Sequence, residues 1–384
     1  VEVERLSWIP ADGDAAWQRQ STPLSGAADL VIVFADRAID IGAALAELRH
    51  RFDHAPIVGC STAGEIHQGA VTDRSAAALA LRFQRTRVRA AAASVVGPAG
   101  SFDAGAAIAA QLAAPDLRAV LVLSDGLAIN GSQLAAGLRQ GVGRDVVITG
   151  GLAGDGQAFA DTWVLWQDEP RRGLVAAVGL YGDAVRVGHG SRGGWSIFGP
   201  PRRITRAEGS ELFELDGQPA LALYKRYLGD LQQALPASAL LFPLAIRAQA
   251  PDGAWLVRTV LGIDEQAQSL RFAGDVPGGS SAQLMRANIE HLISGAADAA
   301  ADAARSAAPP GATACIAISC IGRRLVLKGR TDDELDAVLE GLPAGTQQIG
   351  LYAYGELAPS EASPCELHNQ TMTLLTITET LGAS

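Results

Sequence analysis

The sequence predicts an α/β protein of two mixed-sheet α/β domains, pseudo-duplicated and built from repeated βαβ-type units. Three observations predict it. An apolar run closing on a Gly-acid pair recurs as IVGCSTAGEI (Gly64, Glu65), VITGGLAGDG (Gly154, Asp155), LRFAGDV (Gly274, Asp275) and IGLYAYGEL (Gly355, Glu356). Three of these copies follow the same succession of strand-like run, amphipathic helix pattern and second strand-like run. The composition, 384 residues with 48% hydrophobic and 19% charged, suffices for a large core and points to two domains.

Residues 1 to about 27 read as a lead-in, because Pro10, Gly13 and Pro23 interrupt any helix. The first unit then runs from Val31-Ile32-Val33-Phe34 through Ile41, Leu45, Leu48 and Phe52 to Ile57-Val58; the apolar steps of four, three and four share one helical face. The second runs from Val120-Leu121-Val122-Leu123 through Leu134, Leu138 and Val142 to Val146-Val147-Ile148. The third runs from Cys315-Ile316-Ala317-Ile318 through Leu335, Val338, Leu339 and Leu342 to Ile349 and Leu351. Strand, covering helix and second strand make right-handed βαβ crossovers the economical arrangement.

Between the second and third units the pattern changes. Residues 174–204 alternate apolar with small or polar side chains and read as antiparallel strands, while 221–235 reads as a helix broken at Pro236. Residues 254–261 and 268–272 read as an antiparallel pair before Gly274, and 281–305 as a helix carrying Leu284, Ile289 and Leu292, stopped by Pro309-Pro310-Gly311. Alternation around Met372, Leu374 and Thr376 ends the chain in a strand that returns to one of the βαβ sheets. The domains divide at 28–217 and 218–380.

A formal net charge of −10 argues against nonspecific binding to nucleic acid or to an anionic membrane. The basic pairs Arg171-Arg172, Arg202-Arg203 and Arg323-Arg324 read as solvated loops. No apolar run approaches the ~20 residues that span a bilayer, and no basic segment with an apolar stretch opens the chain, so a soluble cytoplasmic protein is expected. Cys60, Cys315, Cys320 and Cys365 are too scattered for a disulfide framework and lack the paired spacing of structural zinc. Cys60 stands out because it meets Ser61-Thr62-Ala63-Gly64, where oriented backbone N–H groups could lower a thiol pKa.

The glycine-rich turns do not read as phosphate loops. Gly150 to Gly156 has neither the Lys-Ser/Thr ending of a P-loop nor a dinucleotide fingerprint, and its acid would repel an anion. Two readings stand: the carboxylates cap turn N–H groups, or Glu65, Asp155 and Glu356 face a cleft between repeats and bind a ligand ammonium or hydroxyl. In the second, Cys60, Ser61 and Thr62 belong to the same site.

Longer strings carry a resemblance. Gly59-Cys60-Ser61-Thr62-Ala63-Gly64-Glu65-Ile66, Leu123-Ser124-Asp125-Gly126 with Asn130-Gly131, Gly150 to Gly156, Gly188-His189-Gly190-Ser191 with Gly194-Trp195, and Glu214-Leu215-Asp216-Gly217-Gln218-Pro219-Ala220 resemble the N-terminal half of FIST-domain sensory proteins and its continuation. Ser319-Cys320 with Gly322-Arg323-Arg324, Tyr352 with Tyr354-Gly355-Glu356, and Leu367-His368-Asn369-Gln370-Thr371-Met372-Thr373 resemble the C-terminal half. The resemblance spans about residues 28 to 380 and implies a bacterial module that senses small molecules such as amino acids. Trp195, Tyr354 and Asn369 join the candidate ligand-binding residues on its account.

A subset of that family, the nitric-oxide-sensing NosP-type proteins, binds heme and regulates partner histidine kinases. With no output domain following the two halves, the expectation is a signal passed to a separate histidine kinase or cyclase. Heme needs an axial ligand, usually His, in an apolar pocket. His50, His54 and His291 look like exposed helix positions and His67 like a strand end. His189, flanked by glycines that allow a flat ligand to approach, and His368, within a matched string, are the candidate iron ligands. A different class is an enzyme with Cys60 or Ser124 as nucleophile and Glu65 or Glu356 as base, which needs the pair within hydrogen-bond reach.

Overall fold

All three βαβ units form, each with its two strands parallel and adjacent. The computed structural model describes residues 1–8, 16–247, 255–305, 312–360 and 363–380. Pro10, Gly13, Ala254 and the Pro309-Pro310-Gly311 stop lie outside the described residues.

The first repeat consists of β1 (Glu2–Trp8), β2 (Trp17–Arg19), β3 (Leu30–Ala35), α1 (Ile41–Arg51), β4 (Ile57–Ser61), β5 (Glu65–His67), β6 (Ala70–Thr72) and β7 (Ala76–Arg82). The second follows as β8 (Arg87–Ser94), α2 (Ser101–Leu112), β9 (Leu117–Ser124), α3 (Gly131–Gly141), β10 (Val147–Leu152), β11 (Val164–Trp166), β12 (Glu169–Arg171) and β13 (Leu174–Tyr181). The third opens with β14 (Val185–Arg192) and is then interrupted by β15 (Trp195–Glu208), β16 (Glu211–Leu215), β17 (Gln218–Pro219), α4 (Ala220–Leu228), β18 (Leu244–Arg247), β19 (Trp255–Arg258), β20 (Val260–Asp264), β21 (Ser269–Phe272) and β22 (Ser281–Ala287). It resumes with α5 (Ile289–Ala304), β23 (Ala314–Cys320), α6 (Ile321–Leu327), α7 (Thr331–Gly341), β24 (Gln347–Ala353), β25 (Gly355–Ala358), β26 (Glu366–His368) and β27 (Met372–Glu379).

Each repeat builds a mixed sheet and gives two paired strands away. The sheets run β12-β11-β4-β3-β7-β1-β2, β26-β25-β10-β9-β13-β8 and β14-β27-β23-β24-β5-β6. Thus β5, which follows β4, pairs with β24 of the third repeat; β25, which follows β24, pairs with β10 of the second; and β11, which follows β10, pairs with β4 of the first. The inserted strands form a fourth sheet, β19-β18-β22-β15-β16-β21-β20, covered by α4. The class is therefore mixed α/β built on repeated units, and the complete unit occurs three times.

Alternation in the strands sends one set of side chains to a shared centre and the other to the helices. Phe34, Val58 and Cys60 from the first sheet, Leu121, Leu123 and Val178 from the second, and Ile316, Ile318 and Leu351 from the third form one central core. On the outer faces α1 covers the first sheet, while α2 and α3 cover the second and α5 and α7 the third. Helix starts are locally encoded: the Asp40, Asn130 and Asn288 side chains accept from the first-turn N–H groups of α1, α3 and α5. The second strands of the βαβ units carry glycine at one equivalent place. A Cβ on Gly59, Gly150 or Gly350 would stand 2.0 Å from the carbonyl oxygen of Val33, Val122 or Ala317 on the paired strand.

Several expectations are corrected. The lead-in holds β1, paired to β7 along its length; Val1 and Val3, then Leu6 and Trp8, alternate with polar residues on either side of the Glu4-Arg5 step, and Val3 joins the central core while Leu6 and Trp8 join the cluster under α1. Residues 281–287 are strand β22; the helix begins only after Asn288 caps it. The 221–235 helix ends at Leu228, and Gly229 at φ +56° turns the chain into a 3-10 segment, Gly229–Ala234. The run 174–204 does form antiparallel strands, but β13, β14 and β15 enter three different sheets. Of the expected pair before Gly274, residues 260–264 and 269–272 pair as β20 and β21, while β19 pairs with β18. Arg323-Arg324 is no solvated loop: Arg323 is fully buried in a salt bridge to Glu334.

Candidate functional site

The three turns after β4, β10 and β24 meet in a closed ring of backbone hydrogen bonds. Gly154 N–H donates to the Ser61 carbonyl at 3.1 Å, Ala63 N–H to the Tyr352 carbonyl at 2.8 Å and Tyr354 N–H to the Leu152 carbonyl at 3.0 Å. The donors are equivalent residues of the three repeats, and so are the acceptors. Arg324 closes one side of the ring, donating to the Ala63 carbonyl at 2.6 Å and to both oxygens of Asp73.

This register separates carboxylates that look alike in sequence. Glu65 and Glu356 face Leu351 and Gly151 across the exchanged pairings, whereas Val164 holds the corresponding place opposite Cys60. Both glutamates are fully buried and bonded alike: Ser75, just before β7, donates its N–H and hydroxyl to Glu65 Oε2, and Thr371, just before β27, does the same to Glu356 Oε2. The Thr62 hydroxyl also donates to Glu65. Burial pushes each carboxyl up to about 8 against these bonds.

Asp155 stands one place earlier, where the other repeats have Gly64 and Gly355, and takes a different role. Its carboxylate accepts from the N–H groups of Phe159 (2.9 Å), Ala160 (2.9 Å) and Asp161 (2.8 Å) and from the Tyr354 phenol. Burial works to raise its pKa, but the phenol and the backbone donors outweigh it and hold the group below the usual range. The loop it organises is the longer crossing of the second repeat, and this loop carries Phe159 onto Tyr354, ring centroids 4.4 Å apart and nearly parallel.

Beyond Phe159 lies a cavity of about 280 Å³. Its walls are Gln157, Ala158 and Phe159 from that loop, Ala234 to Ala237 and Leu240 from the segment after α4, and Val260 and Leu261 of β20. Gln370 and Asn369 hold the second and third walls from behind. Gln370 Nε2 donates to the Leu240 carbonyl and to Thr259 Oγ1, both at 3.0 Å, and Asn369 bridges from the Tyr354 carbonyl (3.4 Å) to Thr259 N–H (3.3 Å).

Of the residues singled out in the sequence, Asp155, Tyr354 and Asn369 thus support one cavity. Glu356, Glu65, Ser61 and Thr62 sit at or beside the ring, where Ser61 Oγ accepts from Trp163 N–H at 3.1 Å. Cys60 points into the central core with its pKa raised by burial, so no helix-end or turn N–H activates it. Ser124 donates to the Asp125 carbonyl at 2.9 Å, and among the described residues it has no hydrogen bond to Glu65 or Glu356. Trp195 starts β15 and lies outside the cavity lining, as do His189 and His368. The glycines beside His189 serve packing: a Cβ on Gly188 or Gly190 would stand 1.9 Å from the Ala303 or Ala299 carbonyl of α5. His368 bonds the Ala358 carbonyl at 3.3 Å, and burial lowers both imidazole pKa values. Asp275, in the fourth Gly-acid pair, accepts from Asn130 Nδ2 at 2.7 Å and belongs to no exchanged strand.

The lining offers no side-chain nitrogen or sulfur suited to an axial iron position, so the cavity does not fit a heme through these residues. Among the described residues, no three His, Cys, Asp or Glu side chains gather as a metal site. Sequence reasoning assigned Phe159, Leu235, Pro236, Leu240, Val260 and Leu261 no site role: Leu235 and Pro236 read as the end of a helix pattern and Val260 and Leu261 as part of a strand run, with no signal that they share a cavity.

Among solved structures, a chorismatase crystal structure matches 98% of this chain and 99% of its own at 11% identity and a TM-score of 0.36, a likeness that carries no argument about function. No curated protein sequence matches the chain. Among the described residues no helix is long and apolar enough to cross a membrane. The FIST N domain model matches residues 29–218 and the FIST C domain model residues 220–359, and the chain belongs to the FIST family of small-ligand sensory domains.

Proposed function

We propose that this protein senses a small molecule bound in the cavity beside Phe159, and that occupancy is passed to the ring of exchanged strands through Phe159, Tyr354 and Asp155. One observation carries the reading: the cavity walls come from both family halves, and the wall residue Phe159 stacks on Tyr354, whose backbone is a member of the ring. A ligand that prefers one setting of Phe159 thereby biases how the second and third repeats meet, which is the differential affinity a sensor requires. The output is a separate partner, a histidine kinase or a cyclase, with the ligand held and not converted.

The test is thermal stabilisation of the purified protein by a metabolite library, repeated on Leu261→Trp, which fills the cavity from its partly exposed edge. Hits lost in the variant support the reading. Hits that stabilise both proteins equally place the ligand elsewhere and overturn it.

Heme-dependent nitric oxide sensing is the narrower reading, and its support is the sequence resemblance. It predicts a Soret band retained through gel filtration after incubation with hemin, shifted by nitric oxide and lost in His189→Ala or His368→Ala. Absence of a retained band removes it and leaves the metabolite sensor.

A further inference from the structure

The chemistry of the lining narrows the ligand class, an inference that rests on the cavity being the sensory site. We infer that the cavity takes an uncharged, largely apolar molecule of one or two rings, or a branched aliphatic of that size, and discriminates against zwitterionic amino acids. The lining is Ala158, Phe159, Leu235, Pro236, Leu240, Val260, Leu261 and their alanine neighbours, with Gln157 at the exposed rim the one polar side chain.

Charged groups close in sequence to these walls are already committed. Asp155 is taken by three N–H groups and the Tyr354 phenol, and Asp161 pairs with Arg172 at 2.7 Å. Arg258, buried two residues before Val260, donates to the carbonyls of Asp275 (3.0 Å) and Leu367 (3.0 Å). Asp264 caps the N–H groups of Gln266 and Ala267 at 2.9 Å. Asp230 is exposed on the segment after α4 and is not part of the lining.

Part of the lining backbone is also committed. Pro236 has no N–H, Leu235 N–H is used by the Gln232 carbonyl at 3.2 Å, and the Leu240 carbonyl already accepts from Gln370. An ammonium and a carboxylate carried past the exposed rim would lose hydration and meet no opposite charge among the lining side chains, whereas an apolar ring loses nothing by the same move. Size agrees: an apolar cavity of ~150 Å³ holds a benzene, so about 280 Å³ suits a fused ring or a substituted single ring. The Phe159 face provides a flat wall for offset stacking.

Matched pairs that differ only in the amino acid head group, replaced by a hydroxymethyl, test this on the full chain by calorimetric titration: indole-3-ethanol against tryptophan, 2-phenylethanol against phenylalanine, and 3-methylbutanol against leucine. The expected result is a neutral member binding about tenfold or more tightly than its partner, with binding abolished in Leu261→Trp. Ala158→Trp, on the exposed rim, repeats the test should the first variant fail to fold. Amino acids binding as tightly as the neutral members, and lost in the same variants, overturn the ligand class while keeping the cavity as the site. Binding that survives both variants overturns the cavity reading itself. No binding by any neutral member also overturns the ligand class.

Discussion

The phenol of Tyr354 donates to the carboxylate of Asp155, residues 199 positions apart that come from the FIST C and FIST N halves. The same oxygen accepts from Asp155 N–H at 3.2 Å and donates in the alternative to the Gly156 carbonyl at 2.9 Å. Tyr354→Phe keeps the ring under Phe159 and removes only these bonds. It should cost about 1–3 kcal/mol in urea unfolding, the scale for stranding buried polar groups. It should also weaken the coupling of ligand binding to any partner response while leaving ligand affinity within a few-fold. An unchanged unfolding midpoint would show that the link contributes nothing.

Glu65 and Glu356 predict a pH dependence. Each has its pKa raised from 4.5 to about 8 in the fold, so the folded state holds protons that the unfolded chain has released. Their contribution is fully present below pH 4.5 and is lost as pH rises through about 8. His67, lowered by burial to about 4, acts in the opposite sense and has finished titrating once the pH passes the unfolded imidazole value. Unfolding by urea from pH 6.5 to 9 should therefore show falling stability, and Glu356→Gln should flatten part of that fall and exceed the parent at pH 9. A parent profile flat across this window would contradict the burial of protonated carboxyls.

Arg323 and Glu334 form a buried pair that braces the third repeat. The guanidinium donates to Glu334 at 2.6 Å and to the carbonyls of Leu292 (2.8 Å) and Gln370 (3.3 Å), while Tyr352 and Ser319 hydroxyls also donate to Glu334. Arg323→Met leaves the carboxylate without its countercharge and should cost about 3–5 kcal/mol. Adding Glu334→Leu should cost less than the sum of the single changes, which a double-mutant cycle reads directly.

Gly150→Ala tests the tight strand pairing within a repeat. The new methyl would stand 2.0 Å from the Val122 carbonyl oxygen, and backbone on both sides leaves no flexible side chain to yield. Soluble yield and melting temperature should fall severely, as they should for Gly59→Ala and Gly350→Ala. Tolerance at all three would mean that the strands can separate at little cost.

Much of the repeat was legible because helix and strand periods differ and because glycine marks each second strand. Val31 to Phe34, Val120 to Leu123 and Cys315 to Ile318 announce themselves as fully buried parallel strands. Strand β22 was misread since Leu284 precedes the genuine helix residues Ile289 and Leu292, and the alternation of buried Ala282 and Leu284 is only two residues long. The Gly-acid motif misled in a different way. Composition places Asp155 with Glu65 and Glu356, but register shifts it by one residue, and a shift of one changes what a side chain faces. The cavity was not legible because the wall at Gln157 to Phe159 lies far in sequence from the other two and meets them only in the folded chain.

Strand exchange also sets a schedule for synthesis. Strand β5 leaves the ribosome early, yet the partner it needs, β24, is made near the end; Gln68 and Gln348, which bond at this seam, are 280 positions apart. The first sheet must wait for β11 and the second for β25. Nascent chains therefore carry unpaired apolar edges for most of translation, when such edges are prone to stick. Fragments cut near residue 218 should each be insoluble alone and recover a fold when produced together, since each holds strands that complete the other's sheets.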